Sequence, residues 1–286
     1  MRSKVDTIRT ACRADLPEIR ALWKECFGDS DDYLDRYFRH PQSLEHLFVY
    51  EQHGVSGMMT LIPCLAGREG GSQPVLYLFA LAVRPDRQGN GIGGGLMRFA
   101  EQYARREGYG GIGLVMQHAG LTHYYREKGY TPASQLGRLK LQDLSGDGDR
   151  VASLSVQAYL SIRRRFLAER NSFRFIPRLE AWNIETELTG GAVALRIREG
   201  DADLAAICAV NGGTLYVREL CLPVESNQGV IYRAVGSLAA YAKCRNVRLR
   251  LPWQEGGVPE RYLMAKALTE AAKDVFGDIY ANLLWD

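Results

Sequence analysis

Between residues 75 and 106 an apolar run, a cluster of glycines and an amphipathic segment follow one another closely. Val75–Val83 is a nearly continuous apolar run, the pattern of a strand covered on both faces. After Arg84-Pro-Asp-Arg comes Gln88-Gly-Asn-Gly-Ile-Gly-Gly-Gly95. Leu96, Met97, Phe99, Ala100, Tyr103 and Ala104 then recur at helical spacing until Gly108 ends the segment. Glycines at a helix start cost roughly 1 kcal/mol each relative to alanine, so packing alone is a poor reason for so many. Their use is close backbone approach and positive φ. At a helix N-terminus the unpaired N–H groups and the dipole favour an anion. A phosphate or pyrophosphate is the ligand this turn suits.

Two phosphate-binding motifs do not fit. No Lys-Ser/Thr follows the glycines, which excludes a P-loop. Gly89-x-Gly91-x-x-Gly94 matches the dinucleotide fingerprint as a string. However, Arg84–Gln88 separates it from the strand, and the next strand ends at Met116-Gln117-His118 with no acid for a ribose hydroxyl.

The flanking segments read as alternating helices and strands. Asp15-Leu-Pro-Glu18 predicts a helix start with a capping box, followed by Leu16, Ile19, Leu22, Trp23, Cys26 and Phe27 at helical spacing. A short helix around Tyr33–Phe38 and a hairpin of Leu47–Tyr50 with Val55–Pro63 come next. Ile112–Met116 is a buried strand and Leu121–Glu127 a short helix. The order defines an α/β layer architecture.

The second half repeats the first. Leu215-Tyr-Val-Arg-Glu-Leu-Cys-Leu-Pro223 resembles Leu76-Tyr-Leu-Phe-Ala-Leu-Ala-Val-Arg-Pro85 roughly 139 residues upstream. Ala240-Tyr-Ala-Lys-Cys falls where Gln102-Tyr-Ala-Arg-Arg falls, and Val247–Leu251 answers Ile112–Met116. The stretch from Ala194 matches the hairpin Phe48–Ile62 in pattern. We therefore expect two copies of one fold, over residues 1–141 and 156–286, joined by a polar linker at 142–155.

Leu81-Ala-Val-Arg-Pro-Asp-Arg-Gln-Gly-Asn-Gly-Ile-Gly93 resembles the acetyl-CoA motif of the GNAT superfamily, Gln/Arg-x-x-Gly-x-Gly/Ala after a strand ending in Val-x-Pro. Tyr124-Tyr-Arg-Glu-Lys-Gly-Tyr130 is similar to that family's closing motif. The resemblance covers roughly residues 5–135. It implies a GNAT-like mixed sheet flanked by helices. It also implies that Gln88, Gly89, Asn90, Gly91, Ile92, Gly93 and Gly94 cradle the pyrophosphate of acetyl-CoA, while the strand edge Leu81, Ala82, Val83 holds the pantetheine arm. The tandem arrangement resembles a subset whose second copy has lost the cofactor loop. Pro223-Val-Glu-Ser-Asn-Gln-Gly229 keeps one glycine where the first copy has several.

Acyl transfer to an amine requires a deprotonated amine, a stabilised oxyanion and a protonated leaving thiolate. By the resemblance Tyr125 is the general acid, with Tyr124 the neighbour expected to face the core. Many relatives carry an acid in the cofactor strand, and Tyr77–Val83 has none. The base is left open among a water chain, His118, His123 and a carboxylate of the second copy. In the enhanced-intracellular-survival type the terminal carboxylate serves, which points to Asp286. The acidic turn Glu25, Asp29, Asp31, Asp32 follows the first helix and would attract a cationic amine or cap and solvate that helix. A non-catalytic acyl-CoA-binding module is the rival reading.

Composition sets outer limits. A chain of 286 residues accommodates two domains, and a net charge of +3 without a basic run argues against nucleic acid. Six scattered cysteines show no metal-ligand spacing, so no metal is expected. No signal-like or membrane-spanning stretch is present, which makes the cytoplasm the expected compartment and a small-molecule or peptide amine the expected partner.

Overall fold

The computed structural model describes residues 7–224, 226–252 and 257–284. The first half runs β1 (Thr7–Thr10), α1 (Leu16–Phe27), α2 (Asp31–Arg39), β2 (Leu47–Glu51), β3 (Val55–Gly67), β4 (Gln73–Val83), α3 (Ile92–Arg106), β5 (Gly111–Val115), α4 (Thr122–Glu127), β6 (Thr131–Pro132) and β7 (Gln135–Gln142). The second runs β8 (Val151–Ser153), α5 (Val156–Ala168), β9 (Ser172–Phe175), α6 (Pro177–Thr189), β10 (Val193–Glu199), β11 (Ala202–Asn211), β12 (Thr214–Cys221), α7 (Gln228–Tyr241), β13 (Asn246–Pro252), β14 (Val258–Arg261), β15 (Leu263–Ala267), α8 (Glu270–Val275) and β16 (Tyr280–Ala281).

These strands form two mixed sheets. One has the order β1-β2-β3-β4-β5-β15-β6, with β9 added on β3 and β16 on β9; the other is β14-β7-β13-β12-β11-β10-β8. Each contains the same unit. An antiparallel hairpin, β3–β4 or β11–β12, leads through a helix, α3 or α7, to a strand lying parallel to the hairpin's second strand. The segments that read as repeats in the sequence are these units.

The two sheets exchange strands. β15, from the C-terminal part of the chain, lies antiparallel to β5 from Leu263↔Val115 to Ala267↔Gly111 and also pairs with β6. β7 crosses the other way and fits between β13 and β14, with Leu136–Gln142 facing Pro252–Asn246. Side chains stitch the exchange: Lys266 Nζ reaches Glu101 of α3 at 2.7 Å, and Arg105 donates to the Leu268 carbonyl. The polar stretch after Gln142 lies on α7. A Cβ on Gly146 would fall 2.0 Å from the Gly236 backbone, so only glycine permits this approach.

α3 covers the outer face of the first sheet and α7 that of the second, each over its own apolar cluster. A third cluster fills the space between the sheets and draws on both halves, with Trp23, Tyr37, Phe173, Trp182 and Leu263 all buried. The Tyr37 and Trp182 rings meet at 5.3 Å. Inside this cluster Glu219 of β12 is fully buried. It accepts from Arg163 Nε at 2.6 Å, from the Tyr280 hydroxyl at 3.0 Å and from the Tyr159 hydroxyl.

The expected capping box at Asp15–Glu18 is not what forms. Asp15 reaches back to Cys12 N and pairs with Arg9, while Glu18 accepts from Val55 N at 2.8 Å. Asp15 is taken by a guanidinium six residues upstream and Glu18 by the backbone of β3, so neither caps the helix's own first turn.

Candidate active site

β4 and β5 run parallel only from Leu76↔Ile112 to Leu78↔Leu114 and then separate. Against β3 the register of β4 shifts, so Met58 faces Ala82 while Thr60 faces Phe79, and Ala80 and Leu81 together oppose Met59. This is a β-bulge, which leaves a residue outside the ladder and bends the strand. Ala80 adopts φ 50, an unfavourable conformation for alanine that costs about 1–2 kcal/mol. The bulge and the split open a cleft along the free edge of β4.

The glycine turn closes one end of that cleft. Gly89 and Gly91 have φ 78 and 81, and Gly91 is the N-cap of α3 with no side chain capping it. The N–H groups of the first turn therefore face the cleft with no intrahelical partner. A Cβ on Gly91 would meet nothing within 4 Å, so the left-handed backbone, and the room it leaves, explains the glycine there. Gln88 donates its amide to the Val83 carbonyl at 3.1 Å, locking the turn to the strand end.

Leu81, Ala82, Val83, Gln88, Gly89, Gly91, Ile92, Gly93 and Gly94 all line one cavity of about 600 Å³. Asn90 does not; its amide is turned to the Arg87 carbonyl, where it holds the turn. Arg87 also lines the cavity; its Nε lies 3.7 Å from an Asp86 carboxylate oxygen and makes no hydrogen bond among the described residues. The arginine in Arg84-Pro-Asp-Arg87 was the available signal for it.

Both tyrosines of α4 reach this cavity, with burial opposite to that expected. Tyr125 is the one in the core, 8 % exposed and edge-on to Tyr124 and Tyr130. Tyr124 is half-buried, and a Cβ on Gly93 would lie 3.3 Å from its hydroxyl. A six-residue helix entered through a 3₁₀ turn offers no periodicity from which to read its faces. Burial pushes the Tyr125 phenol up to about 12, with the neighbouring Tyr124 adding to the shift.

A second cavity, of about 500 Å³, meets the first at Phe27, Leu81, Gln117, Leu121 and Tyr125. Trp23, Asp29 and Tyr33 line it from the first half; Arg138, Arg250, Glu260, Arg261 and Tyr262 line it from the exchanged strands and their neighbours. Asp29 accepts from the Trp23 indole at 2.8 Å. Of the other acidic-turn residues, Glu25 lines the first cavity and Asp31 is engaged by Arg20 and Lys24. His118 lies at the first cavity's rim, whereas His123 is 86 % exposed and pairs with Glu127. Asp286 lies outside the described residues. The tail before it is anchored through Asn183 to the Leu283 carbonyl and Tyr262 to the Leu284 carbonyl.

The corresponding end of α7 differs. Asn227 caps it, its side chain accepting from Val230 N at 3.1 Å. A first-turn donor that α3 presents to its cavity is already bonded here.

Among the described residues no helix is long and apolar enough to cross a membrane, and no group of three or more His, Cys, Asp or Glu side chains is placed to hold a metal. Residues 16–130 match the sequence model described as the Acetyltransferase (GNAT) family. No curated protein sequence matches the chain. Among solved structures, the fold is similar to a GCN5-related N-acetyltransferase from Kribbella flavida, with TM-score 0.68 and 15 % identity over 92 % of this chain and 72 % of the other. It is equally similar to Eis1 from Mycobacterium abscessus, with TM-score 0.68 and 15 % identity over 95 % and 76 %. Saccharomyces cerevisiae N-myristoyltransferase with bound myristoyl-CoA matches at TM-score 0.54 and 9 % identity over 93 % and 82 %.

Proposed function

We propose that the chain is an N-acetyltransferase, because residues 16–130 match the model of the GNAT family, whose chemistry is acyl transfer. It moves an acetyl group from acetyl-CoA to an amine. The first copy of the fold holds the cofactor and the second completes the acceptor pocket. We take the copies to divide near residues 142–155, with their last strands exchanged.

The observation that carries this reading is the junction of the two cavities at Tyr125. The pyrophosphate takes the uncapped N-terminus of α3, where the N–H groups, the helix dipole and Arg87 favour an anion. The pantetheine arm follows Leu81–Val83 along the free edge of β4. This brings the thioester to the bulge, where an N–H released from the ladder is available for the developing oxyanion. The amine enters through the second cavity, where Asp29 supplies a carboxylate for the incoming ammonium; it gives up a proton to water in the cavity and then attacks the thioester directly.

Tyr125 then donates to the sulfur as the C–S bond breaks. A phenol near 12 is a weaker acid than an ordinary thiol near 8.5. The desolvation that raises the phenol also raises the thiolate beside it, so the hydrogen bond strengthens as charge gathers on sulfur. The phenol stays protonated throughout the neutral range.

Coenzyme A release with a panel of amines tests the proposal. Tyr125→Phe should lower kcat roughly 100-fold while acetyl-CoA still binds. An unchanged kcat would remove Tyr125 from the reaction. Tight cofactor binding with no amine acetylated would favour the non-catalytic binding module, because β4 lacks an acid between Tyr77 and Val83.

A further inference from the structure

We propose that the acceptor is an amine carrying an anionic group, carboxylate or phosphate, which is held over the exchanged strand β7 and its neighbour β13. The proposal rests on the acyl-transfer reading for the amine end of the acceptor and on separate residues for the anionic end.

β7 and β13 alternate strictly. Leu139, Leu141, Leu249 and Leu251 belong to the apolar cluster beneath α7. The intervening Arg138, Lys140, Arg248 and Arg250 therefore project from the opposite face. The register places Arg138 opposite Arg250 and Lys140 opposite Arg248. Like charges directly opposite one another destabilise a sheet, and here two such pairs stand side by side.

Compensation is incomplete. Glu260 pairs with Arg138, Arg250 lies over the Tyr262 ring at 5.6 Å, and Arg248 lies over the Tyr216 ring at 5.6 Å. Among the described residues no carboxylate pairs with Lys140 or Arg248. A cavity of about 500 Å³ sits on this face, lined by Arg138, Lys140, Arg218, Arg248 and Arg250; among the described residues Glu187 is its one acid, and Glu187 is taken by Arg218. For a chain whose net charge is only +3, this is a concentrated positive field.

That cavity shares Arg138 and Arg250 with the acceptor cavity, so the two adjoin at these side chains. An acceptor with its amine near Asp29 and Tyr125 reaches these cations with its other end. Guanidinium groups pair with carboxylate and phosphate oxygens through charge-assisted hydrogen bonds. The same field opposes a polyamine, whose second charge would sit among arginines.

The test measures kcat/KM with matched acceptors: a dipeptide against its C-terminal amide, and phosphoethanolamine against ethanolamine, with spermidine as the cationic case. The anionic member of at least one pair should be preferred by about tenfold or more, and the pair that shows it identifies the group as carboxylate or phosphate. In Arg248→Gln, and independently in Lys140→Gln on the other strand, that anionic-over-neutral ratio should fall severalfold through the acceptor KM. Neutral or cationic acceptors preferred by the wild type, or equal losses for both members of a pair, would overturn the proposal. If acetyl-CoA binds but nothing is acetylated, the acyl-transfer reading fails separately. The anion site is then judged by calorimetric titration with inorganic phosphate and with succinate. Binding of either ion that is weakened in Arg248→Gln upholds it, and binding of neither rejects it.

Discussion

A fragment ending at Gln142 is expected not to fold on its own, although it contains the whole segment that matches the family. Removing the rest of the chain takes β15 from between β5 and β6, leaving β5 paired with β4 alone and, among the described residues, β6 with no paired strand. It leaves β7 with no sheet to enter, because both of its neighbours, β13 and β14, are gone. The cluster between the sheets loses Phe173, Phe175, Trp182 and Leu263, all buried in the intact chain. Each fully buried side chain of this size contributes roughly 1.5–3 kcal/mol, so these four alone match the whole stability of an ordinary domain, about 5–15 kcal/mol. Circular dichroism on heating is the measurement. The intact chain should unfold in one cooperative transition and the fragment should show none. A cooperative transition in the fragment within a few degrees of the intact chain would contradict the exchange of strands.

Glu219→Ala is expected to be the most damaging single substitution. The carboxylate lies at 0 % exposure and Arg163 at 3 %, with Arg163 Nε bonded at 2.6 Å. Burial holds the Tyr159 and Tyr280 phenols and the Cys221 thiol well above their usual ranges, so these neighbours stay neutral and Glu219 alone balances the guanidinium. Alanine leaves a buried charge without a counterion and frees the Tyr280 hydroxyl that fixes the tail. Breaking one side of such a pair costs about 3–5 kcal/mol. Urea unfolding should show a loss of that size, and Glu219→Ala combined with Arg163→Met should recover much of it. A loss below about 1 kcal/mol would mean that the pair is dispensable.

The parts of this fold that the sequence exposes are those decided locally. Val75–Val83 is a nearly continuous apolar run because both faces of β4 are covered, and the glycines at 89 and 91 are needed where the backbone turns left-handed. The repeat is visible because both copies keep the same buried strand and the same helix after it. The strand exchange is hidden for the opposite reason. β6 is two residues long and β15 only five, and nothing in Leu263–Ala267 says which of two similar sheets it joins. α6 also passes unread, although Pro177 at its first turn, with Leu179 and Trp182 three residues apart, was a usable signal.

The acceptor side is where residues had to be brought together before they meant anything. Arg138 and Arg250 are more than a hundred residues apart and become neighbours only through the exchange. Their period-two alternation with leucine was present in the sequence, as Arg138-Leu-Lys-Leu and Arg248-Leu-Arg-Leu. The bulge at Ala80–Leu81 has no sequence mark, because alanine carries no preference for positive φ.

Calorimetric titration with acetyl-CoA determines which copy of the fold holds the cofactor and where. One site per chain is expected, filled in the wild type and lost in Gly91→Glu, whose side chain would strain the left-handed turn and set a carboxylate where the pyrophosphate belongs. Two sites per chain, or undiminished binding by a folded Gly91→Glu protein, would contradict it.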